Sequence, residues 1–507
     1  MTGALPAFAD TIVIGGGTAG AAVAGELATK SDESVLLIEA GPDYGAFADG
    51  RWPAELADAR AIPTSHDWGY DSGAQYGRRV IKFERARVMG GCSSHNGCAA
   101  IWGSRLDYDH WAALGNPGWS TEELLPFFRA GSERLRVAIP PHEALTPYQR
   151  AWLEAAPHAG IPIVDDLNNL DENIGMAPSP ANIADGVRWN TAFAYLDPVR
   201  GRSNLTIADR TLTDRLVVKD GRVEAVEAIR DGRRATIKGG RVVLAAGTYG
   251  SPAILLRSGV GDTAELRALG IQPAIDLPGV GRNLHDHPVI GLVFPGTPEL
   301  ESSMAEFGRQ HWMPEEQTIA KARSSQCGAG FDLHMYPVGG PSAENSARWN
   351  WWLAIACMAP RSRGALKLNS SDPTVAPILD HCYLTDPEGQ DARILVDGIE
   401  IARELAAEPR LASLLGEEKW PGRQVASRDQ IDRSVRANVA HYYHPAGTCA
   451  MGPARDQGAV VDARGRVHGL DNCYVADASI MPVIPRANTN IPALTVGLRI
   501  ASWLNGN

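Results

Sequence analysis

The stretch that decides the fold runs from Asp10 to Gly41 and reads DTIVIGGGTAGAAVAGELATKSDESVLLIEAG. It opens with a short apolar run rich in β-branched residues, at 11–14, which is typical of a buried strand. Glycines follow at once, small residues at 21–28 are typical of a closely packed helix, and a second apolar run occupies 35–38. The pattern predicts a strand, a tight turn, a helix and a strand, which together begin a Rossmann-like unit.

The turn itself carries the spacing GxGxxG, with glycines at Gly15, Gly17 and Gly20. The first glycine allows the tight turn, the second lets a pyrophosphate approach the backbone, and the third lets the helix pack on the strand. Glu39 lies 19 residues after Gly20, at the end of the second strand, where a carboxylate accepts hydrogen bonds from ribose hydroxyls. The sequence therefore predicts a bound dinucleotide. The acid disfavours NADP and leaves NAD and FAD open.

Composition limits the classes of function. The chain has 507 residues, 44% of them hydrophobic and 21% charged, and a formal net charge of −11. This composition is globular, and the length predicts two or more structural units. Charges of both signs are mixed along the chain, which disfavours nucleic acid and an anionic membrane as partners. The N-terminus lacks a secretory signal pattern and no stretch has the apolar length of a membrane span, so we expect a cytoplasmic protein.

Five further segments decide between the two cofactors. They occur in the order FERARVMGGCSSHNGCAAIWG (83–103), GTYGSPAILLRSGVG (247–261), GVGRNLHDHP (279–288), HPAGTCAMG (444–452) and VADASIMP (475–482). Together they resemble the glucose-methanol-choline (GMC) oxidoreductases, a family of FAD-dependent alcohol oxidases and dehydrogenases. The resemblance implies FAD as cofactor, a small-molecule alcohol as substrate, and oxygen or another electron acceptor. It runs from Thr11 to about Leu504 and is vaguest between 295 and 440.

The same resemblance implies the fold class, which is α/β, or α+β overall. A Rossmann-like FAD-binding domain is expected from residues 1–150, 200–294 and 441–507. A substrate-binding domain, mainly an antiparallel sheet, is expected to be inserted from residues 151–199 and 295–440. The second of these segments is rich in tryptophan and alternates apolar and polar residues in two places, which is typical of strands.

The first signature departs from the common family pattern. Cys92 and His95 give it the form GGCSSHN, which resembles the choline oxidase branch, where the corresponding histidine carries the flavin through its 8α-methyl group. His95 is therefore a candidate for covalent attachment of FAD. A noncovalent polar contact near the dimethylbenzene edge of the flavin is the alternative, and the sequence leaves both open.

His444 is the catalytic candidate, because oxidising CH–OH to C=O requires a base for the hydroxyl proton and an acceptor for the hydride. In the family the histidine of the HPxGT segment lies over the flavin, and hydride passes from carbon to flavin N5. A second residue, His or Asn, follows 44 positions later, which here is Asn488. Its amide is expected to orient the alcohol oxygen. His441 is either a substrate contact or a polar residue at the start of a strand.

The resemblance also implies further cofactor contacts. Asp477 and Ala478 are expected near the pyrophosphate and ribityl chain, the final helix is expected to begin beside the flavin, and Val218 is expected at the adenine. The remaining predicted contacts, with those of the final helix, are Thr18, Ala19, Ala40, Trp68, Gly90, Gly91, Asn96, Gly97, Asn490 and Ile491.

Two other site chemistries are disfavoured by the residues. His285 and His287 flank Asp286, but the local spacing supplies no third ligand, so no metal site is predicted. No GxSxG nucleophile elbow stands at a strand end, which disfavours a serine hydrolase.

The substrate is expected to be a sugar or glycoside hydroxyl. Aryl or heteroaryl alcohols of the furfuryl or pyridoxine type, and choline, are the alternatives. Two other classes remain open, namely a hydroxynitrile lyase that holds FAD without redox chemistry, and a flavoprotein that transfers electrons without an alcohol site.

Overall fold

The computed structural model describes residues 5–60, 62–74, 79–171, 174–341 and 349–506. The strands are numbered along the chain as β1 Phe8–Ile14, β2 Val35–Ile38, β3 Gly175–Pro178, β4 Ile183–Ala184, β5 Val187–Arg188, β6 Leu205–Ala208, β7 Thr211–Lys219, β8 Arg222–Arg230, β9 Arg233–Leu244, β10 Val260–Gly261, β11 Ile275–Asp276, β12 Pro288–Pro295, β13 Thr318–Ala322, β14 Leu333–Pro341, β15 Trp349–Cys357, β16 Ala365–Lys367, β17 Ile378–Asp380, β18 Ala440–His441 and β19 Cys473–Val475.

The α-helices lie between these strands and close the chain. They are α1 Thr18–Lys30, α2 Ala54–Ala57, α3 Arg105–Ala113, α4 Thr121–Arg134, α5 Pro147–Ala155, α6 Gly247–Arg257, α7 Thr263–Ala268, α8 Pro298–Gly308, α9 Gln390–Ala406, α10 Pro409–Ala412, α11 Arg428–Asn438 and α12 Asn490–Leu504. In the part of the chain that the structure describes, no helix is long and apolar enough to cross a membrane.

The first sheet contains the predicted dinucleotide-binding unit. Its strands run in the order β6, β2, β1, β9, β8, β7, with β19 also paired to β9. The pairs of β1 with β2 and β9, of β2 with β6 and of β9 with β19 are parallel. The side chains of residues 11–14 and 35–38 are all buried, as expected for parallel strands covered on both faces. The predicted strand, turn, helix and strand are therefore confirmed.

The other edge of this sheet is an antiparallel meander of β7, β8 and β9. Asp220 and Gly221 form the turn between β7 and β8, with φ of 48° and 73°. Positive φ at both central positions gives the turn the twist that a two-residue hairpin requires, and Asp-Gly is a preferred pair for it. The first sheet is therefore mixed rather than wholly parallel.

The second sheet is antiparallel throughout, in the order β18, β12, β15, β14, β13, β3. The expected α/β chain with an additional antiparallel sheet is confirmed. The strand β12, Pro288–Pro295, lies in this sheet although it precedes position 295. Where the two domains divide along the chain remains a prediction.

The first helix, α1, packs against the last helix, α12, beside the glycine turn. A Cβ at Gly497 in α12 would lie 2.9 Å from the backbone oxygen of Ala19 in α1. The third glycine of the motif, Gly20, lies against the backbone oxygen of Gly15, where no side chain could fit. The small residues of α1 therefore serve close packing on both sides, as the sequence predicted.

Candidate active site

A cavity of about 860 Å³ extends from the carboxyl ends of β1 and β2 to residues 440–445. The glycine turn forms part of its wall. Gly15 has φ of 102°, and Gly17 faces Gly91, where a Cβ would lie 2.6 Å from the Gly17 α-carbon. The two glycine motifs therefore face each other backbone to backbone, which leaves the peptide groups at the start of α1 open to a ligand.

Glu39 lies where the sequence places it, at the end of β2 and in the cavity wall. Its carboxylate accepts hydrogen bonds from the backbone N–H groups of Gly16, at 2.8 Å, and Gly41, at 2.7 Å. Burial raises the pKa of Glu39, and these two N–H groups oppose the rise. Each oxygen keeps a further lone pair, so the carboxylate can still accept from a ribose hydroxyl.

Most of the predicted site residues line this one cavity. It contains both catalytic candidates and the cofactor-binding candidates Gly15, Gly17, Thr18, Ala19, Glu39, Ala40, Trp68, Gly91, His95, Asn96, Gly97, Asp477, Ala478 and Asn490. Segments that are hundreds of residues apart in sequence therefore meet at a single site.

Four predicted contacts lie outside the cavity wall. Gly20, Gly90 and Ile491 stand behind it and shape the turns that form it. Val218 lies six residues beyond Leu212 on the same strand, about 20 Å away, and packs against the hydrophobic core. The cavity wall at this strand consists of residues 211–213, so Val218 lies outside it, and the adenine contact at Val218 stays a prediction.

Asp477 holds two chain segments of the cavity wall in place through hydrogen bonds to its carboxylate. Its carboxylate accepts from the N–H of Gly247 at 2.9 Å and from the Ser251 hydroxyl at 2.6 Å. The other oxygen accepts from the N–H and hydroxyl of Ser479, at 2.8 and 2.5 Å. Burial raises the pKa of Asp477, and these donors oppose the rise. The carboxylate thus fixes the turn before α6 and the segment beside Ala478, both of which line the cavity.

The residues present fit FAD. A dinucleotide requires the open helix start at Thr18, an acid at the ribose such as Glu39, and a continuous cavity toward a second ring. At α12, the side-chain oxygen of Asn490 accepts from the Thr18 hydroxyl at 3.2 Å. The Nδ2 group of Asn490 is buried without a partner in the described chain, as is the Oδ1 atom of Asn488. Such atoms favour a polar ligand in the cavity.

His95 follows a short 3₁₀ turn, Gly91–Ser94, and lines the cavity. Its Nε2 lies 2.7 Å from the backbone oxygen of Ser65. Burial lowers the pKa of His95, so the ring is held neutral. Because a carbonyl oxygen only accepts, the proton is assigned to Nε2 and the lone pair to Nδ1. The histidine therefore presents a neutral ring with one nucleophilic nitrogen.

His444 is held at two points by the segment before β12. Its backbone N–H donates to Asp286 at 3.0 Å, and its Nδ1 lies 3.0 Å from Nδ1 of His287. Asp286 also accepts from the N–H of His287 at 2.7 Å and from the Tyr383 hydroxyl at 3.2 Å. The pairing of β12 with β18 brings these segments together.

These contacts determine which nitrogen of His444 can act as a base. Burial lowers the pKa of His287 to about 3, while the backbone carbonyls of Pro485 and Met358 oppose the fall. Of two neutral imidazoles that meet at their Nδ1 atoms, one donates and the other accepts; we assign the proton to Nδ1 of His444, so that Nδ1 of His287 accepts it. The lone pair of His444 is then on Nε2. Burial also lowers the pKa of His444 well below its usual value, so the ring is neutral and ready to accept a proton.

The fold brings His444 beside Asp286 and His287 as a third potential metal ligand, which the local sequence spacing does not supply. Ligand atoms of Asp286, His287 and His444 all lie within 4.8 Å of one another. Asp286 accepts the backbone N–H groups of His287 and His444 and the Tyr383 hydroxyl, and the Nδ1 atoms of the two histidines contact each other. The absence of a metal site stays a prediction.

Asn488 lines the cavity beside Tyr442, a residue that sequence reasoning missed. The rings of Tyr442 and His444 have centroids 4.3 Å apart. Burial raises the pKa of Tyr442 well above its usual value, and the Asn488 side chain opposes this rise, which places the amide beside the phenol. An amide and an imidazole thus line the same part of the cavity, and their catalytic roles stay a prediction.

His441 is the second residue of β18, its Nε2 is 3.4 Å from an oxygen of Glu84, and it lines the cavity. A contact of His441 with the substrate stays a prediction. Other wall residues that sequence reasoning missed are Glu316, Tyr336 and Trp352. Alternation of apolar and polar residues predicted strands at β14 and β15, but no local signal showed which face of these strands lines the cavity.

Known proteins resemble this chain over nearly its whole length. Residues 9–289 and 360–497 match the N-terminal and C-terminal family models of the GMC oxidoreductases. The oxygen-dependent choline dehydrogenase of Paraburkholderia phymatum is 35% identical over 537 residues, which cover 98% of this chain and 92% of that protein. The choline oxidase of Arthrobacter globiformis is 33% identical over 538 residues, covering 98% and 94%. The crystal structure of pyridoxine 4-oxidase from "Mesorbium loti" has a TM-score of 0.87 and 28% identity, covering 98% and 99%.

The protonation of His444 can be tested directly. We expect the ring of His444 to be neutral at pH 6.5, where an ordinary imidazole is half protonated, because burial holds its pKa well below that value. The measurement is a pH series of two-bond proton–nitrogen spectra on protein labelled with ¹⁵N-histidine, with the His444 signals assigned from their loss in His444→Asn. A midpoint near 6.5 for those signals would contradict the assignment.

Proposed function

The chain belongs to the GMC oxidoreductase family, whose cofactor is FAD, and we propose that His444 and Asn488 catalyse the oxidation of a small alcohol to a carbonyl. Members of this family act on CH–OH donors, and the chain is an oxidoreductase of that kind. What is proposed here is the assignment of the catalytic groups and the kind of alcohol.

The observation that carries the proposal is the pair of ring nitrogens at 3.0 Å, Nδ1 of His287 and Nδ1 of His444. With the shared proton assigned to Nδ1 of His444, the lone pair of this ring is on Nε2, the ring nitrogen that has no partner in the described chain. The neutral ring can take the hydroxyl proton of an alcohol, and general base catalysis of this kind is worth about 10²–10⁴ in rate. The backbone hydrogen bond to Asp286 keeps the ring in place while its charge changes.

Asn488 supports the same step from the neighbouring position. It cannot accept the proton, but its amide can donate a hydrogen bond to the alcohol oxygen as negative charge develops there. Its Oδ1 atom is buried without a hydrogen-bond partner among the described residues, as is the hydroxyl of the neighbouring Tyr442.

Electron balance fixes the rest of the reaction. The alcohol loses two electrons and two hydrogens, of which His444 holds one as a proton. FAD, when bound, supplies the acceptor for the two electrons and the hydrogen that leave the carbon. The relatives named above include an oxygen-dependent dehydrogenase and an oxidase, and we propose oxygen as the final acceptor.

The substrate proposal changes from that expected from the sequence. The relatives are named for choline and pyridoxine and give no support to a sugar or glycoside. The wall near His444 is aromatic, with Tyr336, Tyr442 and Trp352. Flat aromatic faces suit a compact alkylammonium group or a heteroaromatic ring. We therefore propose a small choline-like or heteroaryl alcohol.

The base assignment is tested by His444→Ala. We expect kcat/KM for choline or pyridoxine, whichever the wild-type protein oxidises, to fall by about 10²–10⁴ because proton removal from the hydroxyl loses its acceptor. FAD content is measured from the visible spectrum of the same samples. The exposed His142→Ala variant is the matched control and should keep its rate.

Unchanged turnover in His444→Ala, at full FAD content, would contradict the base role. If neither protein oxidises any alcohol, cyanide release from mandelonitrile would favour the lyase alternative. The absence of both activities would favour an electron-transfer protein.

We also propose that His95 carries FAD covalently. Its neutral ring has a nucleophilic nitrogen and lines the cavity. Attachment replaces one C–H bond of the flavin 8α-methyl group and the ring proton by a C–N bond. The two electrons and two protons released pass finally to oxygen.

Acid precipitation tests this attachment. Precipitated wild-type protein should retain its yellow colour, and His95→Ala should release free flavin into the supernatant. His66→Ala is the matched control, because His66 lies on the neighbouring segment beside Ser65, and it should keep its colour in the pellet. Free flavin from the wild-type protein would contradict covalent attachment.

A further inference from the structure

His334 is a histidine behind the cavity wall that the proposed reaction does not use. It lies in β14, two residues before Tyr336 and on the same face of the strand, because side chains alternate along a strand. Its side chain is fully buried. Neither Nδ1 nor Nε2 of its ring has a hydrogen-bond partner among the residues that the structure describes. An imidazole buried without partners is costly, so a polar molecule is expected beside it.

The pairing of the second sheet brings His287 close to this histidine. Val289 in β12, Ala356 in β15 and His334 in β14 are in register across the sheet. His287 is the residue before β12, so it lies diagonally across the sheet from His334, with the small side chain of Ala356 between them. Nε2 of His287 is also buried without a partner in the described chain. Two imidazoles with unsatisfied nitrogens therefore flank one small side chain.

The ring of Tyr442 packs against both of these histidines and against the catalytic candidate. Its centroid is 6.2 Å from that of His287 and 6.4 Å from that of His334, edge-on in both cases. The centroid of His444 is 4.3 Å away. His334 and His287 thus belong to one ring cluster, yet no direct hydrogen bond joins them in the part of the chain that the structure describes. Polar groups separated in this way are commonly joined by a water molecule.

The surroundings of His334 keep its ring neutral. Lys321 is opposite it in β13, and the Lys321 ammonium donates to the backbone oxygens of Leu167, at 2.6 Å, and Gly103, at 3.4 Å. Burial lowers the pKa of His334 well below its usual value, and the charge of Lys321 and the neighbouring His287 lower it further. A neutral imidazole has one nitrogen that donates and one that accepts, which suits a bridge between polar groups.

From this arrangement we infer that His334 is a positioning residue for the catalytic base, and that it acts through a water molecule held between its ring and Nε2 of His287. The inference rests on the proposed oxidation at His444. Internal waters bind where about three polar groups would otherwise be unsatisfied. The two ring nitrogens of His334 and Nε2 of His287 are groups of this kind.

The bound water fixes where the protons of the histidine pair lie. It accepts a hydrogen bond from Nε2–H of His287 and donates one to the unprotonated nitrogen of His334. With its proton on Nε2, His287 presents a lone pair at Nδ1, which accepts Nδ1–H of His444. The lone pair of His444 is then on Nε2. When that nitrogen takes the hydroxyl proton, the ring becomes charged and its hydrogen bond to His287 strengthens.

His334→Leu tests the inference in FAD-loaded protein, because leucine is buried readily but offers no polar atom. We expect kcat for the alcohol that the wild-type protein oxidises to fall about tenfold, which corresponds to one hydrogen bond to a charged group. KM should change little, because His334 is not among the described residues that line the cavity. His334→Gln should recover most of the rate, since an amide both donates and accepts.

Met335→Leu is the matched control for these variants. Met335 is the next residue of β14, it is buried as deeply as His334, and its side chain faces the other side of the sheet. The change conserves volume and should keep the wild-type kcat. The FAD content of every variant is measured from its visible spectrum, so that rates are compared at equal loading.

Two further measurements do not depend on turnover. A crystal structure of the wild-type protein that resolves ordered water should show one within hydrogen-bond distance of both a ring nitrogen of His334 and Nε2 of His287. Two-bond proton–nitrogen spectra of ¹⁵N-histidine-labelled protein should show the His444 proton on Nδ1 in the wild-type protein and in His334→Gln. In His334→Leu, signals of the other tautomer of His444 should appear.

Four results would overturn the inference while leaving the proposed oxidation intact. They are the absence of water between His334 and His287 in such a crystal structure, an unchanged kcat in His334→Leu, equal losses of kcat in the Leu and Gln variants, and an unchanged His444 tautomer in His334→Leu. If His334→Leu does not fold, the wild-type crystal structure decides. Failure of the proposed function looks different, because then no alcohol is oxidised and the water and the His444 signals alone report on His334.

Discussion

The carboxylate of Asp286 is the interaction on which the catalytic end of the site depends. It accepts the backbone N–H groups of His287 and His444, which lie 157 residues apart, and the hydroxyl of Tyr383. Because both backbones are fixed at one carboxylate, the two imidazole rings meet at their Nδ1 atoms. Burial keeps both rings neutral, and their contact leaves one lone pair available at the cavity. The chemistry proposed for His444 follows from this arrangement.

The two sheets contribute different parts of the cavity wall. The parallel half of the first sheet ends in the glycine turn and Glu39, which suit a dinucleotide. The antiparallel second sheet, through β12 and β18, brings the histidines to the same cavity and adds the aromatic wall and Glu316. The cofactor part uses backbone groups and therefore tolerates little change in its glycines. The substrate part uses side chains, so its selectivity can change while the fold is kept.

Local pattern predicted the parts of the molecule that depend on local geometry. The glycine spacing, the position of Glu39 and the final helix agree with the structure because turns and helices are set by near neighbours. The resemblance supplied His444 and Asn488 through their spacing. Spacing could not show the contact of His287 with His444, because antiparallel pairing joins distant segments. Nor could it show that Tyr336 and Trp352 line the cavity, because that depends on how the second sheet packs in the folded chain.

The measurement that tests the central claim most directly is anaerobic. The yellow protein is mixed rapidly with the preferred alcohol, either normal or with deuterium on the carbinol carbon, and loss of the visible flavin band is followed. The account predicts that the band disappears without oxygen and that deuterium slows its loss several times, because the carbon–hydrogen bond breaks as His444 takes the hydroxyl proton. A band that persists with every alcohol tested, yet disappears with dithionite, would contradict alcohol oxidation at this site. Loss at equal rates with both isotopes would show that another step controls reduction.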